Sequence, residues 1–172
     1  MELWDVYDAD RQATGGTMVR GEPIKEGEHH LVVHVCIFNQ KDQMLIQQRQ
    51  PFKEGWPDMW DISLGGSAVK GDSSRTAAER EAFEELGLSL DLSGIRPQLT
   101  INFPGGFDDI YLIDREVELD TLILQPEEVQ AAKWASLDEI LEMIDAGTFI
   151  PFRKNLIRLL FDMRESYGTI SN

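Results

Sequence analysis

The sequence predicts an α/β fold, a sandwich in which a mixed β-sheet is flanked by helices on both faces, with a short N-terminal β-hairpin ahead of it. Three observations lead there. Short β-branched and aromatic runs recur between Gly, Pro, Asn and Asp clusters. Three segments read as helices, two of them with capping residues at both ends and the third from helical spacing. The composition, 42% hydrophobic with four Trp and eight Phe in 172 residues, supplies one core of ordinary domain size.

In chain order, "LWDVYDADRQATGGTMVRGEP" alternates weakly and breaks at Gly15 and Gly16, which predicts a hairpin. Residues 1–28 therefore read as a hairpin extension, and residues 29–172 as a single globular unit. "HLVVHVCIFN" and "QMLIQQRQ", joined by "QKD", read as a pair of central strands. "GWPDMW" is a turn-rich connection and "DISLGG" a short strand ending in glycines. A helix follows, with Asp72, Ser73 or Ser74 as its N-cap and Gly87 placed as a left-handed C-cap. Further strands are expected at "QLTINF", "DDIYLIDREVE" and "QAAKWASL". Two helices close the chain: "SLDEILEMIDAG", capped by Ser136 with acids in its first turn, and the amphipathic "RKNLIRLLFDMRES".

A formal net charge of −15 disfavours nucleic acid polymers and anionic membranes, both of which are recognised by clustered Lys and Arg. It would equally repel a small phosphate ester unless a cation sat between protein and ligand. No apolar run approaches the roughly 20 residues of a membrane span. The opening "MELWDVYDAD" has no basic and apolar leader pattern. The lone Cys36 lies in an apolar run and has no internal disulfide partner, so a cytoplasmic address is expected.

The helix after the glycines holds the densest chemistry. At roughly 100° per residue, Glu81, Glu84 and Glu85 share an arc of about 100°, which Ala77 and Ala78 continue toward the loop with small side chains. Ala82, Phe83 and Leu86 are expected to face the sheet. Glu84 and Glu85 stand at the unfavourable end of the helix dipole, and Glu81 repels Glu85 at i, i+4. Carboxylates about 6 Å apart and partly desolvated would repel by roughly 2 to 3 kcal/mol at an effective dielectric near 20. A divalent cation reverses that sign, and oxygen ligands suit Mg²⁺ or Mn²⁺. The alternative is a solvated acidic helix face.

From Gly66 through Asp72, Arg80, Glu81, Glu84, Glu85, Gly87 and Leu88, the stretch resembles the signature G-x5-E-x7-R-E-U-x-E-E-x-G-U of the Nudix superfamily, U being aliphatic. Asp72 departs from that pattern, standing where it has Glu. The resemblance implies a Nudix-type α/β/α sandwich and a metal-dependent hydrolase that cleaves the diphosphate linkage of a nucleoside diphosphate derivative. Carried over, Glu84 and Glu85 are the metal-binding pair, the Gly65 carbonyl a further ligand, and Glu81 a ligand or general base. Arg80 orients the glutamates. Homodimers are frequent in the family, with the hairpin a candidate contact.

"HLVVHVCIFN", "RQPFKEGWPDMW" and "PEEVQAAKW" resemble the branch near isopentenyl diphosphate isomerases. Arg49 and Lys53 match diphosphate-contacting positions there, and His30 a metal-ligand position. Asp109 falls near a second acidic position. Glu127 or Glu128 lies in a loop where other members supply a catalytic acid. Gly65 and Ser67, however, stand where the isomerases' cysteine and histidine are expected, so an isomerase is disfavoured. The remaining alternative to a hydrolase is a catalytically silent nucleotide-binding module of the same fold.

Overall fold

The computed structural model describes residues 1–170. It contains nine strands and three helices: β1 Leu3–Tyr7, β2 Ala13–Val19, β3 His30–Phe38, β4 Gln43–Arg49, β5 Trp60–Asp61, β6 Leu64–Ser67, α1 Ser74–Leu86, β7 Leu99–Phe103, β8 Gly106–Asp114, β9 Val129–Ser136, α2 Leu137–Asp145 and α3 Lys154–Met163. β1 and β2 form the expected antiparallel hairpin as a sheet of their own. The other seven strands make one mixed sheet. No helix among the described residues is long and apolar enough to cross a membrane.

The centre of that sheet is the parallel pair β3–β8, in continuous register from His30↔Gly106 to Phe38↔Asp114. The β3–β4 hairpin differs from its sequence-based expectation, because the two strands pair only at Phe38↔Met44. Beyond that point β3 takes β6 as its neighbour, from Val32↔Ser67 to Val35↔Leu64, while β4 pairs with β5 and β9. The sheet therefore forks between β3 and β4, and the fork opens a crevice.

Alternation along β3 sorts the core into two layers. Val33, Val35 and Ile37 face α1, packing with Leu64, Ala77, Ala78, Ala82 and Leu86. Cys36 and Phe38 face α2 and α3, packing with Met44, Ile62, Ile140, Ile157 and Phe161. Each layer hides one sheet face, which is the three-layer sandwich. Cys36 is buried and free, and burial drives its thiol pKa upward, as a packing residue requires.

Helix α1 is bounded as its sequence directs. Ser73 accepts from the Thr76 N–H in a capping box, and Gly87 closes the helix at φ 67°, a left-handed conformation that costs other residues more. Its buried face is shifted from the expected one. Ala77, Ala78, Ala82, Glu85 and Leu86 are buried, whereas Phe83 is 65% exposed. Small alanines at the contact let α1 lie close to β6, so the buried arc turns toward Glu85 and Phe83 is left outside.

Candidate active site

A cleft of about 500 Å³ occupies the fork. Its floor is β6, where Gly65, Gly66 and Ser67 run beneath the C-terminal half of α1. Glu81, Glu84 and Glu85 line it from the helix, Arg49 and Lys53 from the end of β4 and the loop after it, and Glu128 from the loop before β9. The predicted carboxylates, cations and glycines are thus brought together from segments far apart in sequence.

Gly66 is required by a close approach. A Cβ there would fall 2.2 to 2.7 Å from the Glu81 carboxylate, so the carboxylate rests directly against loop backbone. Burial raises the Glu81 carboxyl above its usual range, against the opposing pull of Arg80. Glu85 is 4% exposed. Burial, reinforced by the Glu81 charge and opposed by the Gln47 amide, pushes its carboxyl up to about 8. Gln47 Nε2 donates to Glu85 Oε2 at 2.8 Å, and Gln47 Oε1 is a buried acceptor with no partner among the described residues.

Arg80 spans the carboxylates. It donates to Glu81 Oε1 and Glu84 Oε2, both at 2.9 Å, to Asp72 Oδ2 at 3.0 and 3.1 Å, and to the Ser67 carbonyl at 3.1 Å. Asp72, one methylene shorter than the signature's Glu, still reaches the guanidinium, and so its role is to hold Arg80. Among the described residues no group of three or more His, Cys, Asp or Glu is arranged as a finished metal cage. The guanidinium is the charge partner of Glu81 and Glu84.

The donor set nevertheless fits a hard divalent cation. Glu81 and Glu85 are all-oxygen donors held out of water with raised pKa values, and the orphaned Gln47 oxygen adds to the electronegative surface beside Glu85. Holding Glu85 uncharged makes the metal-free fold pH-sensitive. Its folded pKa lies above the ordinary 4.5, so its stabilising contribution is complete below about pH 4.5 and is lost as pH rises through about 8. In EDTA, urea unfolding of the parent should lose on the order of 4 kcal/mol relative to Glu85→Gln between pH 5 and pH 9. Parallel pH profiles for the two proteins would contradict this.

Arg49 and Lys53 reach the cleft with commitments of their own. Arg49 Nε donates to the Gly55 carbonyl at 3.0 Å, with Nη1 3.8 Å from Asp61, while Lys53 forms an ion pair with Glu128. Trp56 lines the same wall and is half exposed. Trp60 lies under the Lys133 ammonium, 5.0 Å from the ring centroid.

Two expected site residues lie elsewhere. Asp109 does not line the cleft. It is fully buried, holding both guanidinium nitrogens of Arg11 and the Thr100 hydroxyl at 2.6 Å, and Arg11 outweighs burial to keep its carboxyl below the usual range. His30 is likewise outside the cleft, and its buried Nδ1 makes no hydrogen bond to any described residue. Its ring stacks on Trp4 at 4.3 Å and 8°, and burial lowers its pKa. Both residues dock the hairpin onto the main sheet.

Sequence reasoning missed His34. Its Nδ1 lies 2.7 Å from Asp108 Oδ1, and its ring faces the cleft beside Gly65. Burial would lower its pKa, but Asp108, Asp61 and Glu85 raise it on balance. The available signal was a histidine inside the otherwise apolar "HLVVHVCIF". Pairing it with Asp108 also needed the parallel β3–β8 register, which propensity does not reveal. Asp61, Phe152, Glu2 and Arg20 also line the cleft, with Val32, Gln125 and Ile150, and were not singled out either.

Known proteins share this architecture. A family model described as "NUDIX domain" matches residues 28–160. An uncharacterized Nudix hydrolase of Listeria monocytogenes is 51% identical over 152 residues, 88% of this chain and 90% of that protein. An isopentenyl-diphosphate Delta-isomerase of Pectobacterium atrosepticum is 31% identical over 132 residues, 73% of this chain and 72% of that one. A crystal structure from Deinococcus radiodurans superposes with a TM-score of 0.74 at 25% identity, covering 97% of this chain and all of the other. With the domain match spanning most of the sequence and the signature glutamates gathered at the sheet fork, the chain belongs to the Nudix hydrolase family.

Proposed function

We propose that the protein is a metal-dependent hydrolase that cleaves the phosphoanhydride of a nucleoside diphosphate derivative by water attack. One observation carries the reading: Glu81, Glu84 and Glu85 converge on a glycine floor in the cleft that also admits Arg49 and Lys53. Glu81, Glu84, Glu85 and the Gly65 carbonyl would hold Mg²⁺ or Mn²⁺. Bound there, the cation would neutralise the bridging diphosphate and acidify a coordinated water. Arg80 keeps the carboxylates aimed at one point. Arg49 and Lys53 bind phosphate oxygens, Lys53 by exchanging Glu128 for substrate. Glu81, pressed against the Gly66 backbone with its pKa raised, is the proton acceptor for attacking water.

An isomerase is the second reading, since relatives with that activity are similar over most of the chain. A Cβ on Gly65 would lie 2.2 Å from His34 Cδ2, so a side chain at the position of the isomerases' cysteine would require the His34 ring to move off its place beside Asp108. This favours hydrolysis. The test is product release from a panel of nucleoside di- and triphosphates, dinucleotides, nucleotide sugars and ADP-ribose, each with Mg²⁺, Mn²⁺ or EDTA. Cation-dependent turnover of at least one compound is the expected result. No turnover by correctly folded protein would leave a silent binding module.

A further inference from the structure

The cleft's cations are unequally engaged. Arg80 is surrounded by Asp72, Glu81 and Glu84, and Lys53 is closed onto Glu128. Among the described residues Arg20 has a single ion-pair partner, Glu2, at 3.0 Å, and its side chain is 56% exposed. It also arrives from a different segment: Arg49 and Lys53 belong to the β4–β5 side of the fork, Arg20 to the end of β2 in the hairpin.

The hairpin is held where it can deliver that charge. Leu3 and Asp5 accept from the Lys70 and Gly71 N–H groups, at 2.8 and 2.7 Å, just ahead of α1. Tyr7 and His29 exchange two backbone hydrogen bonds, at 2.8 and 3.0 Å. Arg11, at the turn, is bound to buried Asp109. Glu2 accepts from the Trp4 indole at 2.7 Å, and Trp4 is stacked on His30. A continuous chain from His30 through Trp4 and Glu2 thus aims Arg20 at the cleft. An ordinary surface ion pair needs no such support.

We infer that Arg20 is an anion-binding residue of this cleft and that the hairpin is part of the substrate site. The inference takes the position of the cleaved linkage from the hydrolase reading. A chain with net charge −15 has few cations to commit to one cleft, and, apart from Arg80 among its carboxylates, it places them on two separate segments. A diphosphate flanked by neutral sugars occupies one of them. A nucleoside di- or triphosphate, with phosphate charge extending past the cleaved bond, occupies both, and it is the substrate class this arrangement takes.

The test is calorimetric titration with inorganic tripolyphosphate in Mg²⁺ buffer, using the full chain and its Arg20→Ala, Arg20→Lys and Arg20→Glu variants. Arg158→Ala, an exposed arginine on α3 bonded to Asn155, is the charge-matched control. Arg20→Ala should weaken binding about five- to twentyfold and Arg20→Glu more, with Arg20→Lys between them and the control within about twofold. Melting temperatures should stay at the parent value. Parent-like binding by Arg20→Ala, or no binding by the parent, overturns the inference. Hydrolysis itself is tested separately, by the panel of nucleotide substrates. In steady-state kinetics Arg20→Ala should raise KM several-fold more for triphosphates than for nucleotide sugars, and an equal rise for both would overturn the substrate-class assignment.

Discussion

Glu85→Gln should lower turnover of the best substrate by about three orders of magnitude, with Glu84→Gln showing a comparable loss. The substitution at position 85 is nearly isosteric, and its amide oxygen can still accept from Gln47 Nε2. What disappears is negative charge. In metal-free buffer near pH 8 the same variant should be more stable than the parent, because a carboxyl whose pKa burial has pushed up to about 8 no longer has to ionise out of water. Opposite signs in the two measurements separate a metal-binding carboxylate from one that merely supports the helix, since a structural residue would lose stability and activity together. Cation-dependent turnover at parent level by Glu85→Gln would remove this carboxylate from the catalytic centre.

Arg11→Ala should destabilise the fold by about 2 to 4 kcal/mol, more than Asp109→Asn, although both break the same pair. The two partners differ in depth: the Arg11 side chain is 36% exposed and the Asp109 side chain 1%. Losing Arg11 strands a buried carboxylate with the Thr100 and Ser74 hydroxyls but no cation beside it among the described residues, whereas Asp109→Asn removes the charge that needed a partner. Chemical denaturation of the two variants checks the order. Equal costs would mean that the hairpin docks through its backbone and stacking contacts alone.

The sequence resolved the parts of this molecule whose determinants are local. The start of α1 was narrowed to Asp72, Ser73 or Ser74, of which Ser73 is the cap, its end was placed at Gly87 and the start of α2 at Ser136, because caps act within a single helical turn. The signature glutamates, the glycine floor, Arg49 and Lys53 were legible as a set, and all line one cleft. Two kinds of fact were not legible. Helical phase named an apolar face but could not foresee that alanine contacts would bring α1 close enough to bury Glu85 and expel Phe83. Asp109 and His30 looked like site residues because of what they resemble. Their roles depend on Arg11 and Trp4 in a hairpin distant along the chain, and no short window contains those contacts.

The register of β3 with β8 also sets an order of events in time. β8 begins 76 positions after β3 begins, so a growing chain presents the apolar strand "HLVVHVCIF" long before its principal neighbour has been synthesised. β6 and β4 can cover only part of its other edge in the interval. Parallel pairings of such separation close slowly, and an unpaired apolar edge is open to other copies of itself meanwhile. Recovery from denaturant should therefore depend steeply on protein concentration, with dilution improving the yield of active molecules more than slower removal of denaturant does.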